Sequence, residues 1–323
     1  MSIKAPLEEL GPGLKLLLSG ILVLLIGLFS QVLAALLVSW FYSFPFNELF
    51  SPDAYSDPQT IAAMKWVQII GGTGTFILPA LLLSWLFTGD PLAWFQPLQR
   101  METLPVILTV LMMCSIIPFI NYSAELNMRL ELPLESLEEI FRELELQAEE
   151  LLQAFTSSSS WSSLLVNILM IAVLAAVGEE LIFRGVFQRL LTQWIRNIHL
   201  AVLLTSILFS AIHFQFYSFL PRLILGMILG YLFYYGSSIW YPILAHFVNN
   251  ALGVVYYHFH APGESEAVLD EIGTSQMMPR TAIISLSLFL FFALWWYFRV
   301  RSGTSPSPRS GAPGTGSRSP HSF

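Results

Sequence analysis

The residues able to do chemistry in this chain lie where few polar residues are expected. Gly178-Glu179-Glu180-Leu181-Ile182-Phe183-Arg184 sets two adjacent carboxylates into a long apolar run. A charged side chain at the centre of a bilayer costs about 2.5–3.5 kcal/mol on insertion scales, so such residues point to a partner, a cavity and a function. In a helix, neighbouring residues point about 100° apart, whereas residues four apart share a face. Glu180 can therefore pair with Arg184, which leaves Glu179 available as a general base. The competing structural reading is that both acids reach toward the inner surface together with Arg184 and Arg189.

Two further polar groups follow on separate apolar runs. Phe209-Ser-Ala-Ile-His213 puts a histidine one turn from an aromatic ring. Alone, such a histidine more often satisfies a neighbouring backbone or hydroxyl group. His246-Phe-Val-Asn249-Asn250 puts His246 and Asn250 on one helical face, with Asn249 pointing elsewhere and free to bond between helices. An imidazole and an amide one turn apart can both donate to one substrate oxygen, as in an oxyanion hole, or they can cement helix packing. Together the three groups hold what is needed to activate a water and stabilise a tetrahedral intermediate. Glu179, His213 and His246 would also make a His/His/carboxylate metal shell. His199, His258, His260 and His321 lie at run ends or in the tail and are expected to take no part.

The elements that must position these residues are membrane helices. Of 323 residues, 55% are hydrophobic and only 11% charged, far below the charge content of soluble domains. Apolar runs of spanning length lie near 14–42, 61–88, 103–121, 162–190, 198–217, 220–236, 240–258 and 281–299. In hydrocarbon, backbone groups must bond within their own segment, so each run is expected to be a helix. The fold class read from this is all-α: a multi-pass transmembrane bundle of about eight spans enclosing an intramembrane catalytic cavity. The first run is too long for a signal-peptide core, so no cleavable signal is expected. Cys114, the single cysteine, reads as small buried filler. A net charge of -7 with no basic tract argues against nucleic acid as a partner.

Between 122 and 160, Leu137, Phe141, Leu144, Ala148, Leu151 and Phe155 recur at helical spacing among glutamates. This predicts an acidic amphipathic helix outside the bundle core, either a solvated helix packed on the bundle or a lid, with Ser157–Ser160 as hinge or linker. The chain thus divides into N-terminal transmembrane helices (1–121), the acidic helix and linker (122–160), a catalytic membrane domain (161–300) and a Ser/Pro/Gly tail (301–323) expected to be disordered. Eight spans put both termini on one side. Lys and Arg favour that side (Lys4, Lys15, Arg100, Arg189, Arg196 and Arg299 among them) over the other (Lys65, Arg129, Arg142, Arg222 and Arg280), which assigns both termini to the cytoplasm. Glu264, Glu266, Asp270 and Glu271 fall in the outer loop after Phe259.

In order along the chain, Glu179-Glu180 with Arg184, then Phe209 with His213, then His246 with Asn250, resemble the type II CAAX prenyl endopeptidases and the bacteriocin-processing proteins grouped with them (CPBP, Abi), an intramembrane protease family. The resemblance covers about 161–258. It implies an endopeptidase that cleaves a membrane-associated or lipidated protein or peptide at the cell membrane. It further implies that Glu179 and His213 activate the water, that His246 and Asn250 stabilise the oxyanion, and that Glu180, Arg184 and Phe209 support the site. The family is described both as a metalloprotease family and as one using direct water activation, so a divalent metal such as zinc and no metal at all are both open. This sequence has no His-Glu-x-x-His motif. A non-catalytic scaffold or immunity protein of the same fold is the alternative, and a proton-relay transporter a third reading. One tension accompanies this: a flat span map places Glu179 and His246 toward the inner side and His213 toward the outer side. A shared site then requires long, tilted or broken helices.

Overall fold

The computed structural model describes residues 5–43, 45–46, 57–95, 101–260, 272–274 and 279–303. The tail from 304, His321, the acids between 264 and 271, and Lys4, Arg100, Arg309 and Arg318 lie outside the described residues. The regular elements described are helices: α1 (Pro12–Tyr42), α2 (Pro58–Thr88), α3 (Thr103–Met128), α4 (Glu135–Thr156), α5 (Trp161–Ile195), α6 (Ile198–Ala211), α7 (Phe219–Gly236), α8 (Trp240–Phe259) and α9 (Pro279–Gly303). Each apolar run read from sequence is a helix. Six of the helical segments have both the length and the apolar character to cross a bilayer, making this an integral membrane protein. The other two runs, α6 and α8, fall short of that length or apolar character, while their contacts carry each of them from one end of the bundle to the other. Helix α6 has 14 residues, about 21 Å at roughly 1.5 Å per residue, and stops at Ala211 instead of running to 217. Helix α8 has 20 residues, but His246, Asn249, Asn250 and His258 interrupt its apolar character.

Local chemistry sets the helix ends. Asp57 caps α2, its Oδ2 accepting from the Thr60 N–H at 2.8 Å, and Pro58 follows at the first helical position. Ser160 caps α5 and Asn197 caps α6. Between α5 and α6 the chain reverses within two residues because Arg196 adopts the left-handed conformation (φ 58°) directly before the Asn197 cap. Ser157–Ser160 are non-helical, as expected of a linker.

Two apolar cores hold the bundle. Ala80, Leu83, Phe87, Ile182, Phe183, Val186 and Phe209 join α2, α5 and α6. Leu108, Met113, Leu229, Tyr241, Ala245 and Trp296 join α3, α7, α8 and α9. The outward faces of α1 and α9 carry exposed Leu24, Leu28, Phe29, Ile283, Phe291 and Phe298, the surface that lipid covers. Cys114 is exposed, not buried filler: Met112, Met113 and Ile116 take the inward face of α3 and turn Cys114 outward.

Cross-helix contacts sort the bundle into two ends. At one, Gly13 abuts the Trp194 ring, Arg189 donates to the Trp94 carbonyl (2.5 Å), and Glu102 meets both Tyr241 and Arg299. At the other, Lys65 donates to the Phe155 carbonyl (2.8 Å) and Asn127 to the Phe216 carbonyl (2.7 Å). The start of α1 and the end of α9 therefore lie at the same end.

Candidate active site

Helix α5 contains two π-helical stretches, Ile168–Leu174 and Leu181–Gln188, on either side of Glu179 and Glu180. A π turn is wider than an α turn and recurs at functional sites. Here each stretch supplies a carbonyl to a side chain from elsewhere: Ile171 to Asn250 (3.0 Å) and Gly185 to the Trp94 indole N–H (2.6 Å). The centre of α5 is thus held from outside. Gly178 seals the same level, since a Cβ there would stand 2.8 Å from that of Phe76 on α2.

Glu180 and Arg184 are fully buried and paired, Arg184 Nη1 donating to Glu180 Oε1 at 2.7 Å. The other terminal nitrogen of Arg184 donates to the Gly226 carbonyl at 3.0 Å, and the guanidinium lies 4.8 Å from the centre of the Phe209 ring. One turn on, Gln188 donates to the Gly230 carbonyl at 2.9 Å. Gly226 and Gly230 form a Gly-x-x-x-Gly pair: a Cβ at either would meet Ser206 or Val202 of α6, respectively, at 2.9 Å. These glycines let α5, α6 and α7 approach closely enough for side chains of α5 to reach backbone carbonyls of α7. The sequence reading overlooked them, although the spacing in Gly226-Met-Ile-Leu-Gly230 was the available signal.

His246 enters from α8 and is 3% exposed. Its Nδ1 lies 2.9 Å from the same Glu180 oxygen that holds Arg184, and its Nε2 lies 3.9 Å from Glu179 Oε2. The first is a hydrogen bond. The second is too long to be one and close enough for charge to be felt. With Nδ1–H directed at a carboxylate, Nε2 accepts a proton in the neutral ring and donates only in the protonated ring. Glu179 keeps some exposure where Glu180 has none, and among the described residues its nearest basic partner is His246 Nε2, beyond hydrogen-bond distance.

The break at the end of α6 places His213. Its N–H turns to the Ser210 carbonyl, which leaves the Phe209 carbonyl to the imidazole: Nδ1 and that oxygen are 2.8 Å apart. A carbonyl only accepts, so Nδ1 carries the proton and Nε2 is the basic nitrogen. Phe209 is the hub. Its ring packs edge-to-face on His213 (5.4 Å between centres), His246 (5.7 Å) and Phe183 (5.2 Å) while Arg184 covers it. The depth conflict of a flat span map is resolved by the short α6, which ends at Ala211, and by Glu179 standing near the middle of the 35-residue α5.

Asn250 takes the packing role that the sequence left open beside an oxyanion role, and Asn249 differs from the expectation. It is Asn250, not Asn249, that bonds between helices, through the Ile171 carbonyl, while Asn249 donates to Asn250 Oδ1 at 3.1 Å. One Asn250 amide hydrogen is thereby engaged and one is left for a ligand. Among the described residues no group of three or more His, Cys, Asp or Glu side chains is arranged to hold a metal ion, so Glu179, His213 and His246 do not assemble the shell considered from their types. The remaining histidines lie apart: His199 meets the Tyr231 hydroxyl (3.0 Å), His258 packs near Trp161, and His260 folds back on Tyr256. A separate apolar cavity of about 410 Å³ between α3, α7 and α9, lined by Met112, Met227, Tyr231 and Phe289 among others, contains none of the site residues.

Arg222 was read from sequence only as an outer positive charge. It lies in the first turn of α7 and acts electrostatically on both Glu179 and His213. Its guanidinium donates to Gln215 in the loop that follows His213.

Comparison with known proteins follows the same residues. Residues 161–252 match the family model described as type II CAAX prenyl endopeptidase Rce1-like. The match begins at the first residue of α5 and contains Glu179, Glu180, Arg184, Phe209, His213, His246 and Asn250. A curated relative, the uncharacterized protein YpbD of Bacillus subtilis (strain 168), is 28% identical over 90 residues, which is 27% of this chain and 43% of that protein. The aligned stretch thus spans less than half the length of that relative. No solved structure matches the chain.

Proposed function

We propose that this protein, carrying the Rce1-like region of the type II CAAX prenyl endopeptidases, is an intramembrane endopeptidase that hydrolyses a peptide bond in a membrane-associated protein or peptide. The observation that carries the reading is the gathering of Glu179, His246 and His213 around Glu180 and Phe209 from separate helices of an integral membrane protein. In this reading Glu179 takes one proton of a water as the water oxygen attacks the scissile carbonyl, while Nε2 of His213 accepts a hydrogen bond from the water's other hydrogen and orients it. The oxyanion is met by the remaining Asn250 amide hydrogen and by His246 in its protonated form, in which Nε2 donates. The proton held at Glu179 passes to the departing amine. Glu180, fixed by Arg184, orients the His246 ring, and the Phe209 carbonyl fixes the tautomer of His213. No step is assigned to a metal.

The apolar surroundings favour a substrate with a lipid-attached or apolar end that enters laterally. A prenylated C-terminal motif is the substrate the family match suggests, and peptide maturation is the equivalent role in a cell without prenylated proteins. Both termini are assigned in this reading to the cytoplasm of a plasma-membrane protein, supported by the excess of Lys and Arg in the segments read as inner. Purified protein in lipid nanodiscs, tested with a panel of membrane peptides, should cleave at least one of them. Glu179→Gln and His213→Ala should each lose that cleavage while melting normally. Full cleavage by both variants would end this reading.

A further inference from the structure

Arg222 has more hydrogen-bonding capacity than the protein satisfies. Its Nη2 donates to Gln215 Oε1, but its Nη1 is buried without an acceptor among the described residues. A guanidinium brings five N–H donors in a planar fork suited to carboxylates, and a buried donor left unmet is costly. Two acids flank it. Glu179 is assigned to the water, and Glu145 of α4 is held by the Ser218 hydroxyl. Neither forms an ion pair with Arg222. A second guanidinium, besides that of Arg184, thus lies within electrostatic reach of Glu179 and His213 with one nitrogen unsatisfied among the described residues.

We infer that Arg222 is a specificity-determining residue that receives a carboxylate of the bound peptide through its open guanidinium edge. A carboxylate suits the place better than a phosphate, because the second negative charge of a phosphate would face Glu179 and Glu145. The carboxylate is either the C-terminus of the peptide or an acidic side chain near the scissile bond. The inference rests on the hydrolase reading only in calling the ligand a substrate, so its test is a binding measurement.

Fluorescent membrane peptides are prepared in matched pairs: a free C-terminal acid against its carboxamide, and a Glu against a Gln beside the intended cleavage site. Their affinities are measured in nanodiscs for Glu179→Gln protein with and without Arg222→Gln. With Arg222 present, the acid member of one pair should bind roughly 10- to 100-fold more tightly. The pair that shows the preference identifies the source of the carboxylate. Arg222→Gln should abolish the preference and leave amide binding unchanged. Equal or absent binding of acid and amide with Arg222 present, or a preference that survives Arg222→Gln, overturns the inference. Should Arg222→Gln fail to fold, Glu145→Gln substitutes for it: removing the resident acid should tighten acid-peptide binding severalfold, and unchanged binding overturns the inference. A preference without any cleavage by the wild type would fault the hydrolase reading alone. Cleavage without the preference would fault the Arg222 assignment alone.

Discussion

Glu180 and Arg184 share a fully buried pair, and each also serves a third group, His246 or the Gly226 carbonyl. Removing one partner of such a pair strands the other charge, which costs about 3–5 kcal/mol. Arg184→Leu should therefore lower thermal stability in detergent steeply as well as abolish activity. Glu179→Gln should remove activity while changing the melting temperature little, because Glu179 has no ion-pair partner within direct bonding distance and keeps some exposure. A general base contributes typically 10²–10⁴-fold, so single-turnover cleavage should fall by roughly that factor. Equal destabilisation by both substitutions would contradict the division into a structural acid and a working acid. The Glu180–Arg184 pair was legible in the sequence, since the four-residue spacing selects Glu180 as the partner of Arg184. The shared use of one Glu180 oxygen by Arg184 and His246 was not legible, because it depends on how α5 and α8 cross.

Helices set the depth of the site. The short α6 and the carbonyl freed at its end were hidden in sequence because the apolar character continues through Ile212 and Phe214 and masks the break. The π stretches of α5 were hidden because they leave no mark on composition. The Gly226/Gly230 notch fixes the approach of α7 to α6 and α5. Gly226→Leu should drive a side chain into Ser206, separate Arg184 from its carbonyl, and lower both the yield of folded protein and activity. Melting of the purified variant checks this. A variant with unchanged melting temperature and turnover would show that the notch is not needed for the site. At the start of α2, hydrogen bonds from the Thr60 side chain and N–H hold the Asp57 carboxyl below the usual carboxylate range. The cap is therefore fully present above the ordinary aspartate pKa and is lost as pH falls through the lowered one. Asp57→Ala should remove that acid-side dependence from hydrogen exchange at Thr60 and Ile61.

On the scale of the molecule, the bundle buries the Glu180–Arg184 pair completely and leaves the apolar outer faces of α1 and α9 to lipid. The all-helical membrane fold followed from the apolar runs, and the convergence of distant residues, such as Glu180 and His246 separated by 66 positions, from polar residues that hydrocarbon would not otherwise tolerate. The role of Arg222 did not follow, because a cation near a helix end reads as a topology signal. Helix α4 grips the loop after His213 through Glu145 with Ser218, Arg142 over the Tyr217 ring (4.6 Å) and Phe141 against Phe216 (5.9 Å). The acidic helix is thus packed on the bundle beside the site. The most direct test of the whole account is a double-mutant cycle on single-turnover cleavage, with Glu179→Gln, His213→Ala and the two combined. If both residues act on one water, each single change should cost about 10²-fold or more and the pair should cost little beyond the worse single. Losses that multiply in the double variant, or either single variant cleaving at the wild-type rate, would contradict it.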